Sequence, residues 1–146
     1  MIEVLVALVV LSVGLLGLAG MQLTGLRYNQ GAYSRSQATL MAYDIIDRMR
    51  ANSDGLAAGA YDTAIDTKTS STCGASAAAC VSSVAGCSPA ALASGDKYEW
   101  CQLFNATPPI LPNASATMTK AGKTFTVAVT WTEREISKSL TISVQP

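Results

Sequence analysis

The chain opens with a long uncharged stretch that has one acid at its start. No residue between Glu3 and Arg27 carries a charge, and the eighteen residues from Val4 to Met21 are mostly apolar. With a helical rise of about 1.5 Å per residue, this stretch is long enough to cross a hydrocarbon core roughly 30 Å thick. A carboxylate at the end of a membrane segment is costly and calls for a partner. The sequence therefore predicts a membrane-length helix and singles out Glu3 as a candidate functional residue.

The order of residues in this opening stretch is as informative as its hydropathy. Ile2-Glu3-Val4-Leu5-Val6-Ala7-Leu8 resembles the start of type IV pilins and of the related type II secretion pseudopilins. In that family the stretch follows a short basic leader, a peptidase cuts after a Gly, and the new N-terminal Phe is methylated. The resemblance implies a helix that serves first as membrane anchor and later as filament core. It also implies that Glu3 neutralises the N-terminal amine of an adjacent subunit.

The family's Gly and Phe do not stand before Ile2 in this sequence. We expect the gene to begin upstream of Met1, with a basic leader that supplies both residues. The alternatives are a protein that is never processed, an ordinary signal anchor, or the apolar part of a signal peptide. A signal peptide would need a basic flank, and its apolar part is usually shorter.

After Arg27 the helical pattern continues without a proline up to Asn52-Ser53-Asp54-Gly55, a sequence typical of a helix end. Apolar residues recur there at spacings of three, namely Leu40, Tyr43, Ile46 and Met49. The end of this segment, residues 42–52, resembles the Asp-x-x-Asp-Arg-Met-Arg-Ala-Asn stretch of the minor pilin family PilV, the type IV pilus modification proteins. In this chain, Asp44 with Arg48 and Asp47 with Arg50 are spaced as helical ion pairs. A solvated face that closes a helix would also explain these charges.

Four cysteines follow the apolar stretch: Cys73, Cys80, Cys87 and Cys101. An even number in a small domain behind an apolar N-terminus predicts two disulfides in an oxidising compartment. The competing interpretation is a zinc site with four thiolate ligands, although the gaps are wider than in usual zinc sites.

Ser88-Pro89 is typical of a helix N-terminus, and we predict a helix over residues 89–104 that buries some of its large apolar side chains: Leu92, Trp100, Leu103 and Phe104. Such a helix would place Cys87 about 20 Å from Cys101, whereas a disulfide needs Cα atoms within about 7 Å. Cys73 then pairs with Cys101 and Cys80 with Cys87, or the pairs cross. We favour the first arrangement. The sequence from Cys87 to Trp100 also resembles PilV.

Beyond Pro112 the apolar period changes to two. Phe125, Val127, Val129 and Trp131 line one face of a strand, and Leu140, Ile142 and Val144 line another. A third strand is expected near 116–119, joined to the next by a turn at 120–123. These strands can cover the side of the long helix that carries Tyr43, Ile46 and Met49.

The expected fold is α+β, the pilin-like lollipop, with a long N-terminal helix on a small antiparallel sheet and a disulfide-stapled loop region. Its parts are a helix over 1–52, with a membrane or filament-core half (1–26) and an amphipathic half (27–52), and a head over 53–146. The head comprises an Ala/Ser/Cys-rich loop region (53–95), a short helix (89–104) and strands (116–146).

The composition excludes several classes of function. The chain has no histidine, no phosphate-binding glycine loop and no C-x-x-C motif, so we predict neither catalysis nor a cofactor or metal. Ten basic and ten acidic residues without a block of like charge argue against nucleic acid as a partner. Glu133-Arg134-Glu135 is interpreted as a solvated hairpin turn.

The sequence is best interpreted as a minor type IV pilin that helps prime assembly and sits at or near the pilus tip. The resemblance implies other minor pilins, the major pilin, the inner-membrane assembly platform and a tip adhesin as partners. Adhesion and twitching would be properties of the whole pilus. Alternatives are a type II secretion minor pseudopilin and a periplasmic ligand-binding domain on a generic anchor.

Two signals conflict on the orientation in the membrane. The arginines at 27, 35, 48 and 50 favour a cytoplasmic C-terminal domain by the positive-inside rule, whereas the cysteines favour the periplasm. We follow the cysteines and expect a single-pass inner-membrane protein with a periplasmic head, which moves to the surface pilus on assembly.

Overall fold

The computed structural model describes residues 2–74, 76 and 86–146. It divides into two compact units, with the boundary between Ser34 and Arg35. Helix α1 (Ile2–Ala51) runs through this boundary. No proline breaks its hydrogen bonds, and two arginines in its last turn complement the negative end of the helix dipole. The predicted long helix is thus confirmed, whereas its functional division at residue 26 stays a prediction.

The predicted helix stop is confirmed, but the residues after it do more than end α1. Asn52 caps a second, short helix, α2 (Ser53–Ala57), where a loop was expected. The side-chain oxygen of Asn52 accepts a hydrogen bond from the N–H of Gly55 at 3.1 Å. A Cβ on Gly55 would stand 2.5 Å from the Asn52 amide nitrogen, so only glycine leaves room for this cap.

Helix α3 (Pro89–Phe104) coincides with the predicted short helix. The Ser88 hydroxyl accepts a hydrogen bond from the backbone N–H three residues on, at 3.2 Å. Pro89 follows at the first helical position, where a missing N–H costs nothing. Trp100 is fully buried and Leu92 is exposed, while two residues are partly buried against the core: Leu103 and Phe104.

The sheet has four antiparallel strands in the order β1 (Ile65–Asp66), β2 (Ser115–Ala121), β3 (Thr124–Glu133) and β4 (Ile136–Val144). The three predicted strands are confirmed, and turns at 122–123 and 134–135 connect them. Strand β1 was not predicted. It pairs Ile65 with Met118 across a long stretch of sequence.

The core forms between the sheet and the second half of α1. Alternate side chains of β3 are buried, as a period of two predicts. Tyr43 was expected to face the sheet but is 44% exposed, and that prediction is wrong. Steps of three residues turn about 300° around a helix, so residues chosen at that spacing drift off one face. The α1 residues that are buried follow mixed spacings of three and four: Ala38, Met41, Ala42, Ile45, Ile46 and Met49. The predicted α+β class, a long helix with an antiparallel sheet, is confirmed.

Candidate functional site

Glu3 lies in the first turn of α1 and is exposed. The most apolar eighteen-residue window of this helix has a mean hydropathy of 2.6 and none of it is buried. By length and composition, α1 could therefore cross a membrane. Glu3 forms no ion pair within the described part of the chain. Its assignment to subunit pairing stays a prediction.

A second cluster of polar side chains joins the end of α1 to α3 and to the loop after α2. We call it the junction network, and its members are Asp44, Arg48, Asn52, Tyr61, Asp96 and Glu99. The three members at the end of α1 are spaced four residues apart, so successive side chains fall on one face. This spacing explains why the segment from Asp44 to Asn52 can contact both α3 and the loop after α2.

Arg48 is the charged centre of the junction network. Its Nε donates to Asp44 Oδ2 at 3.0 Å, and its Nη1 donates to Glu99 Oε2 at 2.6 Å. The same Nη1 lies 3.5 Å from Asp96 Oδ1. Burial lowers the pKa of Arg48, but the hydrogen bonds and charges of Glu99 and Asp44 outweigh it and the pKa is raised. The guanidinium therefore stays charged and ties α1 to α3.

Asn52 uses its whole amide group in this network. Besides accepting from Gly55, it donates from Nδ2 to the Tyr61 hydroxyl at 3.1 Å and to the Pro89 carbonyl at 2.8 Å. Asn52 is only 6% exposed, so each lost bond would leave a buried polar group unsatisfied. One side chain thus caps α2 and holds the start of α3.

Tyr61 and Asp96 form the buried end of the junction network. The Tyr61 hydroxyl donates a hydrogen bond to Asp96 Oδ2. Tyr61 is 1% exposed and Asp96 is 8% exposed. Burial, and then the bond to Asp96, raise the pKa of Tyr61 well above its usual value. Next to them, the Trp100 indole N–H donates to the Met41 carbonyl at 2.7 Å.

This arrangement indicates that the junction network has a structural role. Arg48 is surrounded by carboxylates, and Asp96 accepts from both Arg48 and Tyr61, so these charges are compensated within the fold. Among the described residues, no group of three or more His, Cys, Asp or Glu side chains could hold a metal ion. The network fixes the head on the end of α1.

The structure corrects the interpretation of the charged residues in segment 42–52 as a solvated face. The two predicted ion pairs are confirmed, and Arg50 with Asp47 is indeed largely exposed. Asn52 is instead buried, and Arg48 reaches residues 48 and 51 positions later in the chain. Sequence reasoning missed Tyr61 and Asp96. The available signal was the placement of Asp96 one helical turn before Trp100, on the side of α3 that is buried.

A disulfide joins Cys73 to Cys101, with their Cα atoms 5.8 Å apart. The pairing we favoured is confirmed for these two residues, and so is the exclusion of a bond between Cys87 and Cys101. The bond also overturns the alternative of a zinc site with four thiolates. Cys80 lies outside the described residues, so its pairing with Cys87 stays a prediction.

Comparison with known proteins gives a family match over the middle of the chain. The model of the Tt1218-like family, described as Type IV pilin Tt1218, matches residues 20–98, more than half of the sequence. The matched stretch contains every member of the junction network except Glu99. No curated protein and no solved structure matched the chain.

Proposed function

This chain belongs to the Tt1218-like family of type IV pilins, and we propose that it is a minor pilin of the PilV kind, which helps prime pilus assembly and is incorporated at or near the tip. Membership in the family implies a subunit that assembles with other pilins. The observation that carries the narrower proposal is the stretch Asp44–Asn52, which resembles PilV and supplies the α1 part of the junction network.

The two halves of α1 suit this role for different physical reasons. The exposed apolar side chains of the first half need lipid before assembly and other helices afterwards. An unpaired carboxylate in either environment costs several kcal/mol. In the proposed filament core, Glu3 relieves this cost by pairing with the N-terminal amine of an adjacent subunit, and the pair sets the axial register between them.

The remaining parts of the proposal follow from this assembly. The partners are other minor pilins, the major pilin, the inner-membrane platform and a tip adhesin. The head is periplasmic before assembly, in a compartment where the disulfide between Cys73 and Cys101 can persist. After assembly the subunit is part of the surface pilus.

A deletion strain tests the proposal. The gene is removed, then restored together with the genomic sequence upstream of Met1, and sheared pili are analysed by mass spectrometry. We expect pili to be lost on deletion and to contain the subunit, in small amounts, on restoration. Normal pili in the deletion strain, with loss of protein secretion instead, would favour the type II secretion pseudopilin. If the deletion changes neither pili nor protein secretion, a ligand-binding domain on a generic anchor is favoured.

A further inference from the structure

The uncharged stretch of α1 is followed by three side chains of a different kind. Arg27 is the first charged residue after Glu3, and two tyrosines follow it, Tyr28 and Tyr33. All three are exposed, and the two tyrosines are 77% and 62% exposed. Arg27 forms no ion pair with another residue that the structure describes. We call these three side chains the collar.

The residues before the collar fit the hydrocarbon core of a bilayer. Residues 4–26 span about 34 Å as a helix, slightly more than a core about 30 Å thick. Ser12 and Thr24 donate hydrogen bonds to backbone carbonyls four residues earlier, at 2.7 and 3.0 Å, so their hydroxyls need no water. Gln22 is the remaining polar side chain of this stretch and lies near its C-terminal end. The boundary of the hydrocarbon core therefore falls next to Arg27.

The collar side chains project in different directions around the helix. Since each residue turns about 100°, Tyr28 lies about 100° and Tyr33 about 240° around the axis from Arg27. The three side chains thus divide the circumference into roughly equal parts. A single protein partner packs on one face of a helix and would leave part of the collar uncovered. A bilayer surrounds the helix and reaches all three side chains at once.

The chemistry of the collar matches the headgroup region of a bilayer. Tyrosine carries an apolar ring and a hydroxyl that needs a polar partner, and it is enriched at membrane interfaces for this reason. The guanidinium of Arg27 can donate two parallel hydrogen bonds to a phosphate. From Arg27 to Tyr33 the collar covers about 9 Å along the axis, close to the 5 to 8 Å or so that the headgroups add on each side of the core.

We propose that the collar binds phospholipid headgroups in the leaflet at the C-terminal end of the uncharged stretch and fixes the depth of α1 in the bilayer. Arg27 binds a lipid phosphate, and the rings of Tyr28 and Tyr33 lie among the headgroups around the helix. The proposal rests on the proposed pilin function where it places this leaflet on the periplasmic side. The binding itself requires only that α1 spans a membrane.

Depth-dependent quenching of fluorescence tests the position of the collar. The full chain is reconstituted in vesicles of phosphatidylethanolamine and phosphatidylglycerol, with a nitroxide either on the headgroup or at the end of the acyl chain. Y28W and Y33W keep an interfacial aromatic ring and should be quenched more strongly by the headgroup label. L15W, in the middle of residues 4–26, should be quenched more strongly by the acyl-chain label. Trp100 and Trp131 are at most 3% exposed, and the wild type gives their background. Quenching of Y28W and Y33W by neither label, or mainly by the acyl-chain label, would overturn the proposal.

Removal of the collar tests whether it fixes the depth of α1. In the L15W background, R27Q, Y28S and Y33S together should reduce the preference of the tryptophan for the acyl-chain label. The reason is that any movement of the helix along the membrane normal brings position 15 closer to an interface. Q30S exchanges one polar side chain for another within the same segment and should leave the preference unchanged. A triple variant that behaves like Q30S would overturn the proposal.

Analysis of sheared pili separates this proposal from the pilin function. Wild-type subunit in pili, together with Y28W and Y33W that no label quenches in vesicles, would overturn the collar and leave the pilin function standing. Headgroup quenching of both variants without incorporation of the wild type into pili would support the collar and overturn the pilin function.

Discussion

The two halves of α1 have the same backbone structure and opposite surroundings. From Ile2 to Leu26 every large apolar side chain is at least half exposed, whereas six side chains between Ala38 and Met49 are at most 4% exposed. The second half also carries Arg48, which bonds residues of α3. One half satisfies its apolar surface within the molecule and the other does not.

This difference shows that the head and the N-terminal half depend on different partners for their stability. Burial of apolar surface contributes about 25 cal/mol per Å². The head obtains this contribution from its own core, whereas the first half of α1 can obtain it only from lipid or other subunits. Substitutions in the head should therefore change folding, and substitutions in the first half should change insertion or assembly.

The largest effect is expected from a truncation in the core. W100A should lower the free energy of unfolding of the head by about 3 to 5 kcal/mol, since it leaves a cavity and removes the bond to Met41. L11A, at a 60% exposed position of the first half, should leave it within about 0.5 kcal/mol. Urea unfolding followed by far-UV circular dichroism measures both. Equal effects of the two variants would contradict the comparison.

Removing the disulfide should have the next largest effect. C73A and C101A together should cost about 2 to 4 kcal/mol, because the bond closes a loop between residues 28 positions apart. The same urea experiment under non-reducing conditions measures it. Membrane insertion of the chain should be unchanged. An unfolding midpoint equal to that of the wild type would show that the bond does not stabilise the head.

The junction network should contribute less per residue. N52A should cost about 1 to 3 kcal/mol, because it removes a cap and leaves buried groups unpaired. S53A changes the exposed neighbour and should stay within about 0.5 kcal/mol. Thermal unfolding of the two variants against the wild type is the measurement. A smaller shift for N52A than for S53A would show that the Asn52 side chain does not stabilise the head.

The smallest effect depends on pH. The pKa of Tyr61 is raised in the folded state above the value of about 10 expected when unfolded. A raised pKa means that the stabilisation is complete below about pH 10 and is lost as pH rises above it. The stability advantage of the wild type over Y61F should therefore stay constant up to about pH 10 and shrink as the pH rises towards about 11. An advantage that stays constant as the pH rises towards about 11 would contradict the role of the buried phenol.

The parts of the fold that could be predicted are those determined by residues close together in the sequence. The long helix, the cap at Ser88 and the alternation in β3 each leave a pattern within a few residues. Strand β1 leaves none, since Ile65 pairs with Met118 and the Thr67 hydroxyl accepts from the N–H of Ala116. Such pairings become visible only once the chain has folded.

The same reasoning applies to the candidate site. The spacing of Asp44, Arg48 and Asn52 places them on one face, and the ion pair between the first two could be predicted. Their remaining partners, Tyr61, Asp96 and Glu99, come from other parts of the chain. Of these only Asp96, one helical turn before Trp100, left a local signal. Glu3 was singled out because a lone charge in an apolar stretch is itself a local anomaly.

The most direct test of the account compares E3Q and E3A with the wild type in sheared pili and in membranes. We predict equal amounts in the membrane fraction and a strong loss of both variants from pili, because the proposed role of the carboxylate is to pair with the amine of an adjacent subunit. D54N, at an exposed carboxylate of the head, is the matched control and should be incorporated normally. Normal incorporation of E3Q and E3A would contradict the claim that the first half of α1 is completed by assembly through Glu3.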